Sequence, residues 1–166
     1  RELDPLSPSV LQALGWCYYH ARRFDESIAI FQNMLEAVPD FPYGLITYSW
    51  TLRHTGDMDR AVKAAEKALQ LSGGSAFYLS VMGSTYAAAG QQKEARVVLD
   101  RLMQLSVHSY VSPYHLAVAN CALGRKEEAL DLLEKAYDTG DARIMWIGLG
   151  DRHLPGEDRG LLVAGG

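Results

Sequence analysis

The sequence repeats itself every 34 residues. Gly15, Ser49, Gly83 and Ala117 stand at that interval, and all four are small. Ser27, Ala61, Ala95 and Ala129 form a second small series. Arg22 is followed in step by Gly56, Gly90 and Gly124, and Leu11 by Leu45, Leu79 and Pro113. Four copies run without insertion, starting near Pro8, Pro42, Ala76 and Tyr110. Self-similarity at such a period means that one supersecondary unit is stacked on copies of itself. Each unit buries an apolar face that it could not bury alone.

Within each copy, two stretches of helical apolar periodicity flank a short break. The breaks read "ARRFD", "HTGDM", "AAGQQ" and "ALGRK". Gly56, Gly90 and Gly124 suit the left-handed residue that follows a helix end. The copies are joined by "VPDFP", "SGGSA" and "SVHSY", all read as turns that contain helix breakers. The spacing predicts helices over 8–21, 24–37, 42–55, 58–71, 76–89, 92–105, 110–123 and 126–139. The small residues let paired helices approach closely. Tyr18, Phe31, Tyr86, Leu99 and Leu133 fill the space between them.

These residues also match a known motif, W-x2-L-G-x2-Y…A-x3-F…P. The first copy has Leu11, Leu14, Gly15 and Tyr18, then Ser27, Phe31 and Pro39. The third has Leu79, Met82, Gly83 and Tyr86. On this basis residues 1–141 resemble the tetratricopeptide repeat family. The resemblance implies an all-α fold, a right-handed superhelical solenoid of antiparallel helix pairs, with about four full repeats and partial ends. Repeats are expected near 8–41, 42–75, 76–109 and 110–143. The array would span 1–150, and 151–166 would be a tail. Pro5 matches Pro39, so a partial repeat is expected before residue 8, with more chain before Arg1. Segment 144–150 starts in phase as a fifth first helix, but Gly148 and Gly150 weaken it. Ile144, Trp146, Ile147 and Leu149 are expected to cap the last repeat. Tyr110–Ile147 also resembles the last repeat of bacterial arrays that follow a transcription regulator, a kinase or a cyclase on the same chain.

In this family the first helix of each repeat lines the concave face. Carried over, the groove positions of the first repeat are Ser9, Gln12, Trp16, Tyr19 and His20. Those of the second are Tyr43, Ile46, Trp50, Arg53 and His54. The third offers Phe77, Ser80, Ser84, Ala87 and Ala88, and the fourth Val111, Tyr114, Val118, Cys121 and Ala122. The candidate partner-binding set is Gln12, Trp16, Tyr19, His20, Tyr43, Ile46, Trp50, Arg53, His54, Phe77 and Tyr114. Trp, Tyr and Arg are the types enriched at binding hot spots. The competing reading is that some of these rings pack inward between helices. Chaperone-binding relatives hold a terminal carboxylate with a Lys/Asn clamp. Here Gln12, Trp16 and Thr47 stand at those positions, so such a ligand is not expected. His20, Arg53 and His54 suit either an acidic or phosphorylated ligand or plain solvated helix ends.

Other chemistries lack their requirements. "GWCYYHARRF" places Cys17 three residues from His20, but a nucleophile also needs an orienting group and an oxyanion pocket. Cys17 is expected to be a buried or half-buried inert thiol. The five histidines have no metal-ligand spacing, and neither "GGSA" nor "GLGDRH" has a phosphate-loop or dinucleotide context. A net charge of −4 argues against nucleic acid, and no apolar run reaches membrane-spanning length. Two cysteines far apart suggest a reducing compartment, hence the cytoplasm. The expected function is a non-enzymatic protein-interaction module without cofactor or metal that binds a protein or peptide segment. The alternatives are a self-assembling solenoid and an accessory domain of a larger regulator, kinase or cyclase.

Overall fold

The computed structural model describes residues 7–142. The expected partial repeat before Pro8, the capping segment 144–150 and the tail 151–166 lie outside them. The described chain forms α1 (Pro8–His20), α2 (Phe24–Ala37), α3 (Pro42–Thr55), α4 (Met58–Leu71), α5 (Ala76–Ala88), α6 (Gln92–His108), α7 (Pro113–Ala122) and α8 (Lys126–Asp138). The fold is an all-α solenoid of helix pairs. Helices α1/α2, α3/α4, α5/α6 and α7/α8 form the four pairs, and each pair packs on the next.

Local chemistry sets the boundaries. Proline opens α1, α3 and α7, where its missing N–H costs nothing. Ser7, Asp57 and Ser112 accept a backbone N–H with their side chains at the starts of α1, α4 and α7. Gly56, Gly90 and Gly124 sit at φ 82°, 76° and 74°, the left-handed region expected of them. Arg22 holds the equivalent place in the first repeat at φ 61°, where a side chain is strained.

The third-to-fourth junction departs from the period. Helix α6 runs on to His108 because "SVHS" contains no glycine or proline to stop it. Helix α7 starts at Pro113 rather than residue 110, because the residue before a proline is pushed out of the helical region. Residues 109–112 are therefore outside any helix, and α7 packs on α5 more than on α6.

The paired helices cross at the small series. A Cβ on Gly15 would lie 2.5 Å from the Phe31 ring, and one on Gly83 would lie 2.3 Å from Leu99. Phe31 and Leu99 are fully buried. Ser27 Oγ donates to the Gly15 carbonyl at 2.9 Å, and Ser49 Oγ donates to the Ala61 carbonyl at 2.8 Å. Ala61, Ala95 and Ala129 are buried at the same crossings. Around them lies a core of Leu11, Met34, Leu45, Leu52 and Met82. A second cluster, Leu79, Leu102, Val111 and Ala119, continues it into the last repeat.

Two substitutions test this. Gly15→Ala should destabilise by about 1–3 kcal/mol in urea unfolding, because the enclosed Phe31 ring cannot yield freely. Arg22→Gly should stabilise by about 0.5–1 kcal/mol by relieving the left-handed strain.

Candidate functional site: an aromatic face on the first helices

Consecutive first helices touch: α1 with α3, α3 with α5, and α5 with α7. No pair of consecutive second helices packs to that extent among the described residues. A stack that is tighter on one side curves toward that side. The first helices therefore form the inner row, and their exposed stripe is the concave face.

On that row, ring contacts continue from repeat to repeat. The Phe24 ring, at the start of α2, stacks on His54 at 4.9 Å and 2°. His54 meets Tyr19 at 5.3 Å, and Tyr19 meets Trp16 edge-on at 5.1 Å. Trp16 stacks on His20 at 5.1 Å and reaches Trp50 at 5.8 Å. Trp50 meets Phe77 edge-on at 6.2 Å. Phe77 lies 6.5 Å from Tyr43 and 5.8 Å from His115, which meets Tyr114 at 5.6 Å. These separations suit edge-to-face and offset pairs, each worth about 0.5–1.5 kcal/mol beyond burial. The strip thus joins all four repeats.

Several carried-over groove positions instead stitch neighbouring repeats together. Three side-chain pairs are separated by 35 residues. Gln12 Nε2 donates to Thr47 Oγ1 at 3.2 Å, Tyr19 Oη bonds His54 Nε2 at 2.8 Å, and Ser80 Oγ lies 3.4 Å from His115 Nδ1. Thr47 Oγ1 donates its own proton to the Gly44 carbonyl, so Gln12 must present its amide NH2. Gln12 Oε1 is left buried without a hydrogen-bond partner. Ser80 Oγ likewise donates to the Phe77 carbonyl, so His115 Nδ1 is the donor in that pair. Between the second and third repeats Ile46 and Val81 take the equivalent places in the shared core. Ile46 is 0% exposed, which corrects its placement in a partner groove: it belongs to the buried core cluster. Tyr19 is also buried, with its hydroxyl on His54.

The other candidates are more accessible. Trp16, Tyr43, Trp50, Arg53, His54, Phe77 and Tyr114 are half-buried, and His20 is exposed. Burial pushes the Tyr43 phenol up from its ordinary range. Phe24, Tyr78 and His115 join the ring network without having been singled out. His115 carries no local signal because its partner Ser80 lies one repeat away.

Cys17 is exposed, contrary to the buried or half-buried thiol expected. Its counterparts Thr51, Thr85 and Ala119 are buried against the preceding repeat. No described helix precedes α1, so the same position lies open there. No three His, Cys, Asp or Glu side chains among the described residues gather to hold a metal. No described helix is long and apolar enough to cross a membrane.

Family models described as tetratricopeptide repeat match residues 10–42, 44–74 and 114–139, together more than half of the chain. No curated protein sequence matches. Among solved structures, a crystal structure of MamA superposes with a TM-score of 0.57 at 15% identity, covering 86% of this chain and 83% of that one. A second MamA crystal structure gives 0.56 at 15% identity, covering 86% and 78%. At this identity the likeness concerns the fold.

The stitching role has a direct test. Ile46→Ala should cost about 2–4 kcal/mol of unfolding free energy, as a core truncation does, and Tyr19→Phe about 1 kcal/mol through the lost bond to His54.

Proposed function

The chain belongs to the tetratricopeptide repeat family, whose fold is a protein-interaction scaffold, and from that premise we propose that it holds a peptide segment of a partner against the aromatic face of its first helices. The observation that carries this reading is the ring strip running from Phe24 to Tyr114 through every repeat. A core needs large side chains, but it does not need half-buried tryptophans aligned along the inner row. Such rings supply broad contact at low conformational cost. A bulky apolar anchor buried against Trp16, Tyr43, Trp50 or Phe77 contributes about 1.5–3 kcal/mol. His20, Arg53 and His54 form the polar rim at the helix ends. The module needs no catalytic group for this, and the reading also serves an accessory domain on a longer chain.

A second reading, self-association, rests on a separate observation. Ala13, Leu14 and Cys17 on α1 are exposed, with Leu14 at 38%. Their counterparts Thr47, Tyr48, Thr51, Val81, Met82 and Thr85 are all buried by the repeat before them. A second copy stacking end to end would cover this flank, as one repeat covers the next.

Peptides selected from a random displayed library against the folded protein provide the probe. Trp50→Ala should weaken their binding about tenfold or more in calorimetry, with the helical circular dichroism retained. Unchanged affinity would refute the groove. For the second reading, light scattering of the wild type should show mass rising with concentration, and Leu14→Asp should abolish the rise. A monomer at every concentration refutes self-association.

A further inference from the structure

We propose that the cleft between α4 and α6, on the outer row, is a second binding site and that it takes a short apolar peptide with both ends free. The carboxylate of this ligand lies on Arg101 and its ammonium on Glu66. The cleft exists because α4 and α6 both pack on α5 but barely on each other, which leaves a cavity of about 450 Å³ between them. That volume is in the range of small-ligand sites. Leu69, Met82 and Val98 give it an apolar floor. Its two charged lining residues, Glu66 and Arg101, have opposite signs. Glu66 lies with Tyr86 near the end of α5, and Arg101 lies beside Gly74, just before α5 begins.

The cationic end lacks a partner that the preceding repeat supplies. There Lys67 stands at the position of Arg101. It donates to the Pro39 carbonyl at 2.7 Å and pairs with Asp40 at 3.0 Å. In step, Pro39 and Asp40 become Gly73 and Gly74. The Arg101 guanidinium reaches the same place, because a Cβ on Gly74 would lie 2.9 Å from its Nη2. Gly74 has no carboxylate to offer. Among the described residues nothing forms a hydrogen bond or ion pair with Arg101. A ligand carboxylate there takes the part that Asp40 plays one repeat earlier.

The other end is acidic. Glu66 accepts the Tyr86 hydroxyl at 2.7 Å. Burial first, and then the Glu66 and Glu94 carboxylates, push that phenol up to about 12, so it stays a neutral donor. One hydrogen bond leaves a carboxylate further acceptor sites, which an ammonium can fill. A simple anion therefore matches only half of the lining. Seven positions separate Glu66 from Gly73, or about 10 Å at the helical rise. An extended tripeptide spans about the same length. Neither Trp16 nor Trp50 lines the cleft, so this site stands or falls apart from the aromatic face.

The probe is a set of free tripeptides built from Ala, Val and Leu, titrated to millimolar concentration in a nitrogen–proton correlation spectrum. Members of the set should shift the Gly73 and Gly74 amides and leave the indole signals of Trp16 and Trp50 in place. For the tightest member, amidating the C-terminus should weaken binding about threefold or more, and acetylating the N-terminus should do likewise. Arg101→Gln should cost the free peptide as much as amidation does and cost the amidated peptide nothing further. Glu66→Gln should stand in the same relation to acetylation. Both side chains are exposed, so the helical circular dichroism of the variants should match the wild type. No shift at Gly73 and Gly74 from any member overturns the proposal. So does binding that is indifferent to blocked ends, or binding that moves the indoles instead.

Discussion

The whole architecture depends on how closely the two helices of each repeat can approach. At the first crossing Gly15 faces Phe31, and at the third Gly83 faces Leu99. In the second repeat the residue on the first helix is Ser49, and the position equivalent to Phe31 is the small Ala65. Volume is exchanged across the crossing, so the distance between the helices holds while the side chains change. Serine adds a second device. Ser27 bonds the Gly15 carbonyl from one side, and Ser49 bonds the Ala61 carbonyl from the other. A hydroxyl at either small position thus satisfies itself on the backbone of the facing helix, which only close approach allows.

Tight pairing has a consequence for the surface. Each pair behaves as a slab, and the slabs lean together along the first helices. That row becomes crowded enough for side chains of neighbouring repeats to touch. Some of that contact is structural: Gln12 with Thr47, Tyr19 with His54, and Ser80 with His115. The rest is the half-buried ring strip, which core packing does not use up. Charges stay on the outer row, where water screens them, and leave the inner row to aromatics, histidines and a single arginine.

Much of this was legible from the 34-residue count. The ends of α2, α3 and α4 fall where the spacing places them, because proline, glycine and caps act locally and recur in phase. Helix α6 and the start of α7 did not follow, since "SVHS" looks like a link but holds no breaker, and Pro113 is out of phase with Pro8 and Pro42. Within the site, the aromatic set on α1, α3 and α5 was visible and the structure brings it together. What repeat arithmetic could not supply was the division between exposed rings and stitching residues. Equivalence between copies says which residues play alike roles. It does not say that a residue touches the one 35 positions later, as Tyr19 touches His54, nor that Ile46 lies in the core. Cys17 shows the reverse case: its counterparts predict burial, yet its place at the edge of the described array leaves it exposed.

The central claim is that the first helices, not the outer row, receive the partner. Side-chain indole signals in a nitrogen–proton correlation spectrum report it directly, because Trp16 and Trp50 both lie on the strip, 5.8 Å apart. During titration with a selected peptide, the N–H signals of both indoles should shift together and saturate at the same concentration as the calorimetric binding. Binding that leaves both indoles unmoved while amides of α4, α6 or α8 shift would contradict the account.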